Sequence, residues 1–220
     1  YVWNGESAHR QSYISRHERW ARRTSWIGKI FHRKPKKVQR FIPILPSSLC
    51  FDMRRAETYS LFRSGGISMI HVDIMDGFYV DRIAGGIDEL KNIRARTNAH
   101  LHVHLMTESP VVWAADAIAV GADTVILSTN TSGFKTALRN VRAAGRRVGV
   151  ALHPDSNVAL LKPILRDVDE VMVMSVAPGA AGQAFDPGAL HKISVLAATR
   201  KKYGLKFTIS VDGGINDKTA

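Results

Sequence analysis

The chain has 220 residues, 45% of them hydrophobic, with a formal net charge of +12 and one cysteine. That length and composition suit a globular protein of one large domain or two small ones. The lone Cys50 excludes an internal disulfide framework and fits a reducing, cytoplasmic setting, and the absence of any run of 18 apolar residues excludes a membrane-spanning helix.

In chain order, residues 1–40 come first as a basic arm with eleven Lys/Arg against two Glu, which is +9 of the total charge. Residues 41–220 carry only +3, so the high charge says little about the main domain. The arm also holds Trp3, Trp20 and Trp26, and between Ile14 and Phe31 its apolar residues fit a weak amphipathic helix. Such a segment can lie on an anionic lipid surface or touch nucleic acid, and a solvated, disordered or loosely helical extension is the plainer reading. The chain begins at Tyr1 without the apolar stretch of a secretory signal, so a fragment of a longer product is expected.

From Phe41 onward, short apolar runs alternate with stretches of helical period. Strands are predicted at 41–49, 68–75, 99–106, 123–128, 147–153, 169–175 and 206–212. Helices are predicted at about 52–64, 84–95, 109–120, 133–144, 156–166 and 186–203, several of them followed by a Gly suited to a helix C-terminus. Alternation of this kind predicts a parallel α/β sheet over 41–220, with strands buried on both faces. A doubly wound open sheet fits the count as well. Polar residues at the C-terminal ends of several strands favour a (β/α)8 TIM barrel, where sites occupy that position. A closed barrel needs eight strands, and the seventh ends just before Ala220, so the barrel is expected to be truncated after its seventh strand.

The stretch "HVDIMDG" (71–77) places two carboxylates and an imidazole in an otherwise apolar strand, where buried charge needs a partner. His71, Asp73 and Met75 fall at i, i+2 and i+4 and so share a face. His102, His104 and Met106 repeat the spacing on the next strand, Met172 and Met174 on the sixth, and Ser210 with Asp212 on the seventh. If these faces look into one barrel, His71, Asp73, His104 and Asp212 converge near its mouth. Two imidazoles and two carboxylates suit a divalent cation such as Zn, Mn or Fe, with Co also possible and Zn the first choice. A metal would keep those carboxylates ionised and satisfied. Asp76 falls on the opposite face and is expected to bind backbone N–H groups of the following loop. Two small-residue segments, "APGAAGQAF" (177–185) and "DGG" (212–214), read as phosphate cradles, because glycines let backbone N–H groups approach an anion.

Five spaced segments, "PSSLCFD", "HVDIMDG", "HVHLM", "VMSVAPGAAGQAF" and "VDGGIN", together resemble the signature segments of the ribulose-phosphate 3-epimerase family, from about Ile42 to Ala220. The resemblance implies a barrel of the ribulose-phosphate-binding type and metal-dependent epimerisation at C3 of a ketose phosphate. The substrate would be ribulose 5-phosphate or a ketohexose 6-phosphate such as allulose 6-phosphate. It assigns His71, Asp73, His104 and Asp212 to the metal. Asp73 and Asp212 become the acid/base pair acting through a cis-enediolate. Met75, Met106 and Met174 would shield the intermediate. Ser47 and His104 would contact substrate, and Gly179, Ala180, Ala181, Gly182, Gly213 and Gly214 would grip its phosphate. Homo-oligomers are implied as well.

The match is not complete. After "MDG" the chain reads "FYVDR", with Phe78 in place of a His and Asp81-Arg82 in place of Pro-Asn. His102 stands for a common Asp, Ser128-Thr129-Asn130 for His-x-Glu, His153 for Asn, and Ala180-Ala181 for Phe-Gly. These changes spare the metal set and the acid/base pair but point to a divergent substrate preference. An alternative expectation is a non-catalytic protein on this scaffold that uses its arm for nucleic acid or anionic lipid. The absence of a strand-end Lys near the metal set argues against a Schiff-base aldolase.

Overall fold

A computed structural model describes residues 43–219, of which Pro43–Ile215 form one compact unit. The basic arm, with its helical and nucleic-acid or lipid readings, lies outside the described residues. The unit opens with a 3-10 turn at Ser48–Cys50 and helix α1 at Ala56–Ser64. Strands β1 (Met69–Asp76) and β2 (Ile83–Ala84) and helix α2 (Ile87–Arg96) come next. They are followed by β3 (His100–Met106), α3 (Pro110–Val120), β4 (Thr124–Ser128), α4 (Phe134–Ala143) and β5 (Arg147–Leu152). A second 3-10 turn at Val158–Leu161 precedes β6 (Glu170–Met174), α5 (Gly188–Tyr203) and β7 (Thr208–Asp212).

The strands form one sheet in the order β2-β1-β3-β4-β5-β6-β7, all parallel except β2, which pairs antiparallel with β1. Outward residues such as Ile74, Val103, Leu127, Val150 and Val173 pack under the helices in one large core. The helices follow the 3.6-residue period: Phe134, Ala137, Leu138 and Val141 make the buried stripe of α4. The inward residues Ile126, Ala151, Met172 and Met174 form a separate small cluster.

The sheet is rolled. β1 and β7 lie five ladder steps apart, about 24 Å in a flat sheet, yet His71 Nε2 on β1 is 3.9 Å from Asp212 Oδ2 on β7. The fold is therefore of the α/β barrel kind, with the polar strand ends gathered at one mouth.

Two predicted elements are corrected. The strand predicted at 41–49 is reduced, within the described residues, to a parallel bridge between Ser47 and His71, whose N–H donates to Pro46 O at 3.0 Å. Pro43 and Pro46 have no N–H to give a ladder. The helix predicted at 156–166 is a single 3-10 turn followed by further turns. Asn157 caps it by accepting from Ala159 N–H, and Pro163 blocks its extension. The two-residue β2 was not predicted.

Candidate active site

The inward alternation of β1, β3 and β7 delivers four side chains to one point. Candidate ligand atoms of His71, Asp73, His104 and Asp212 all lie within 4.8 Å of one another. His71 Nε2 is 3.1 Å from Asp73 Oδ1, and His104 Nδ1 is 3.3 Å from the same oxygen. Asp73 Oδ2 accepts from the Ser47 hydroxyl at 2.7 Å. The first three residues are buried and Asp212 is half-buried. Ser47, read from the sequence as a substrate contact, thus also holds one of the carboxylates.

The electrostatics of this group are strongly coupled. Burial by itself would raise the Asp73 carboxyl, but the His71 charge and the bonds from His71 and His104 hold it well below the usual range. Burial would likewise lower the His71 imidazole, and the carboxylates of Asp73, Asp212 and Glu170 reverse that, raising it to about 9. His104 is fully buried; its Nδ1 faces Asp73 Oδ1 at 3.3 Å, and its Nε2 has no hydrogen-bond partner among the described residues. A buried ring nitrogen without a partner costs free energy unless something outside the protein meets it. Two imidazoles and two carboxylates around one point are what a divalent cation takes. The residues present therefore fit a metal.

Met75 and Met106 lie directly opposite one another two register pairs beyond Asp73 and His104, and Met174 shares a rung with Asp212. All three methionines are buried. The two predicted cradle segments meet as well. Gly213 and Gly214 have φ of 96° and 62°, and a Cβ on Gly214 would lie 2.4 Å from Phe185 N, so the two loops touch through backbone that only glycine permits. Gly179, Ala180, Ala181 and Gly182 form the loop after β6, where the Gln183 amide donates to Ala177 O and Ala180 O. Ser175 Oγ donates to Gly213 O at 2.6 Å and ties the end of β6 to the β7 loop. Asp76 serves the loop, as its face predicted: it accepts from the N–H groups of Phe78, Tyr79 and Glu108.

Sequence reasoning gave Arg82, His102, Asn130 and His153 as departures from the family pattern, without contacts, and passed over Tyr79 and Glu170. Tyr79 OH donates to Asn130 Oδ1 at 2.8 Å and lies 2.7 Å from His153 Nε2, so three divergent loops meet at the mouth. Arg82 donates to Gly179 O at 3.3 Å, beside the cradle. Inside the barrel, Glu170 accepts from His102 and Ser210. The available signal was a carboxylate opening the apolar run "EVMVM", the same anomaly that exposed Asp73.

A rolled parallel sheet with a charged, metal-suited mouth beside paired glycine loops defines a protein of the α/β-barrel class. Comparison with known proteins gives the particular family. Residues 43–220 match the model of the Ribulose-phosphate 3 epimerase family, and the chain belongs to that family; it is an epimerase, an enzyme of the isomerase class. It is 38% identical to the ribulose-phosphate 3-epimerase of Rhodospirillum rubrum, across 83% of this chain and 81% of the relative. With the enzyme of the same name from Treponema pallidum (strain Nichols) it shares 33% identity across 83% of this chain and 84% of that one. The chloroplastic ribulose-5-phosphate-3-epimerase of Arabidopsis thaliana is 32% identical across 90% and 72%. Among solved structures, 3-hexulose-6-phosphate synthase from Salmonella typhimurium shares the fold, with a TM-score of 0.52 at 18% identity over 74% of this chain and 75% of that one. Among the described residues, no helix is long and apolar enough to cross a membrane.

Proposed function

We propose that the chain interconverts ribulose 5-phosphate and its C3 epimer, with Asp73 and Asp212 as the acid/base pair. One observation carries this reading. The two carboxylates flank a single imidazole, at 3.1 Å and 3.9 Å from His71 Nε2, and come from opposite ends of a rolled sheet. A ketose carbon seated between them meets a carboxylate on each face. One aspartate takes the C3 proton, and the C–H electron pair becomes the C2–C3 double bond of an enediolate. The other aspartate then gives a proton to C3 from the opposite face. The two carboxyls exchange protonation states in each turnover, and no other atom is gained or lost.

His71, Asp73, His104 and Asp212 would hold a divalent cation, for which Zn is the proposed identity and Fe, Mn or Co the alternatives. Bound there, it supplies positive charge against the oxyanion that develops at C2. Met75, Met106 and Met174 keep water from the carbanion face while remaining polarizable. The backbone of Gly179–Gly182 and Gly213–Gly214 receives the phosphate. Phe78 and Ile83, 83% and 81% exposed beside the mouth, offer a surface for a second copy of the chain. The single cysteine is consistent with work in the cytoplasm.

Tyr79, Asn130 and His153 rim the mouth where substrate length would be felt, so pentulose against hexulose preference is the finer question. The test is a metal-supplemented epimerase assay with ribulose 5-phosphate and allulose 6-phosphate in parallel. Turnover of the pentulose phosphate is expected to dominate. Turnover of the hexulose phosphate alone would overturn the substrate assignment, and turnover of neither would overturn the function.

A further inference from the structure

Glu170 is a buried carboxylate that touches none of the four candidate ligands. It opens β6, is 6% exposed, and its Oε1 accepts from His102 Nε2 at 2.9 Å and from Ser210 Oγ at 2.5 Å. His102 in turn sits opposite His71 in the β1–β3 ladder, and their Nδ1 atoms are 2.8 Å apart. His71 then turns its Nε2 to Asp73 Oδ1. A single line of hydrogen bonds thus runs across the barrel interior from β7 and β6 through β3 to β1.

The polarity of that line follows from its ends. An ionised carboxylate only accepts, so the proton between Glu170 and His102 belongs to His102 Nε2. The reverse arrangement would set two acceptors against each other at 2.9 Å in a dry interior. Two N–H groups cannot face each other at 2.8 Å, and a His71 ring that turns its Nε2 to the cation site keeps its own proton at Nδ1, so the facing Nδ1 of His102 is the bare acceptor. The proton between the two Nδ1 atoms therefore belongs to His71. His71 keeps that proton whether its Nε2 carries another proton or a cation.

We propose that Glu170 and His102 are positioning residues which hold His71 in its Nδ1–H form and aim Nε2 into the cation site, so that a carboxylate on the far side of the barrel helps set the affinity for a divalent metal. The proposal rests on the reading of His71, Asp73, His104 and Asp212 as a metal site. Partners behind a ligating imidazole fix its tautomer and orientation, and losing one weakens metal binding by about 10- to 100-fold.

Two measurements on the full chain decide it. The first is the nitrogen NMR spectrum of the histidine rings in the Zn²⁺-loaded wild-type protein, which is expected to show His102 protonated at Nε2 and bare at Nδ1. The opposite tautomer would overturn the proposal without any variant. The second is the Zn²⁺ dissociation constant, measured by competition with a chromophoric chelator. His102→Leu is expected to weaken binding by about 10- to 100-fold. His102→Gln keeps one acceptor and one donor and is expected to recover most of the loss, which a merely space-filling role would not explain. Zn²⁺ binding by His102→Leu within about twofold of wild type overturns the relay and leaves the metal site standing. Failure of the wild-type chain to bind Zn²⁺ overturns both. If His102→Leu does not fold, the wild-type tautomer decides alone.

Discussion

β1 and β7 meet at the site from opposite ends of the rolled sheet, and they are held very differently. β1 is paired along one side with β3 and touched on the other by Ser47 and β2, and six of its eight residues are buried. β7 pairs with β6 alone among the described strands, and none of its five residues is buried. Their aspartates inherit the difference. Asp73 is locked by Ser47, His71 and His104, whereas the Asp212 side chain is 31% exposed and reaches only to 3.9 Å from His71. Preorganisation is thus concentrated on the β1 side, and water has access on the β7 side.

Breaking the β1 side should have the largest consequence. Asp73→Asn removes a proposed ligand and a proposed acid/base group together, and turnover should fall by about 10⁴-fold, with weakened metal binding in the same protein. Asp212→Asn should cost about 10²- to 10⁴-fold in turnover while metal still binds in part. Metal content measured beside kcat separates the two, and equal metal loss in both variants would erase the asymmetry. Stability should follow the same division. Ile74→Ala in β1, where the side chain is fully buried, should cost about 2–5 kcal/mol by denaturant unfolding. Ile209→Ala in the half-buried β7 should cost less than half as much on the same axis.

The smallest expected effect concerns pH. Burial raises the Glu170 carboxyl, but the bonds from His102 and Ser210 outweigh it and hold the folded-state pKa below the usual 4.5. A depressed carboxylate stabilises the fold above its unfolded pKa and loses that contribution as pH falls through the folded value. Wild type should therefore exceed Glu170→Gln in stability near neutral pH, and the gap should narrow in acid below 4.5. A gap that widened in acid would contradict the assignment.

Much of the site was legible because strand period is rigid. Once His71 and Asp73, His102 and His104, and Ser210 and Asp212 were placed two apart, their faces were determined, and the rolled sheet brought them together. The outward face of Asp76 was legible for the same reason. Contacts across the barrel interior were not, because no local period links His102 to Glu170, 68 residues away. The fold was misread where proline outweighed pattern. Pro43 and Pro46 prevent a first ladder, and Pro163 stops the helix predicted after β5, although apolar spacing argued for both. β2 is two residues long and offers no period at all.

The central claim is that a proton leaves C3 and returns from the opposite face between two aspartates held over one imidazole. It is tested most directly by incubating the metal-loaded protein with ribulose 5-phosphate in D₂O and reading deuterium at C3. The account predicts solvent deuterium at C3 of the epimerised sugar, with exchange lost on chelation and strongly slowed in Asp212→Asn. Epimerisation without solvent deuterium at C3, or exchange at the wild-type rate in Asp212→Asn, would contradict it.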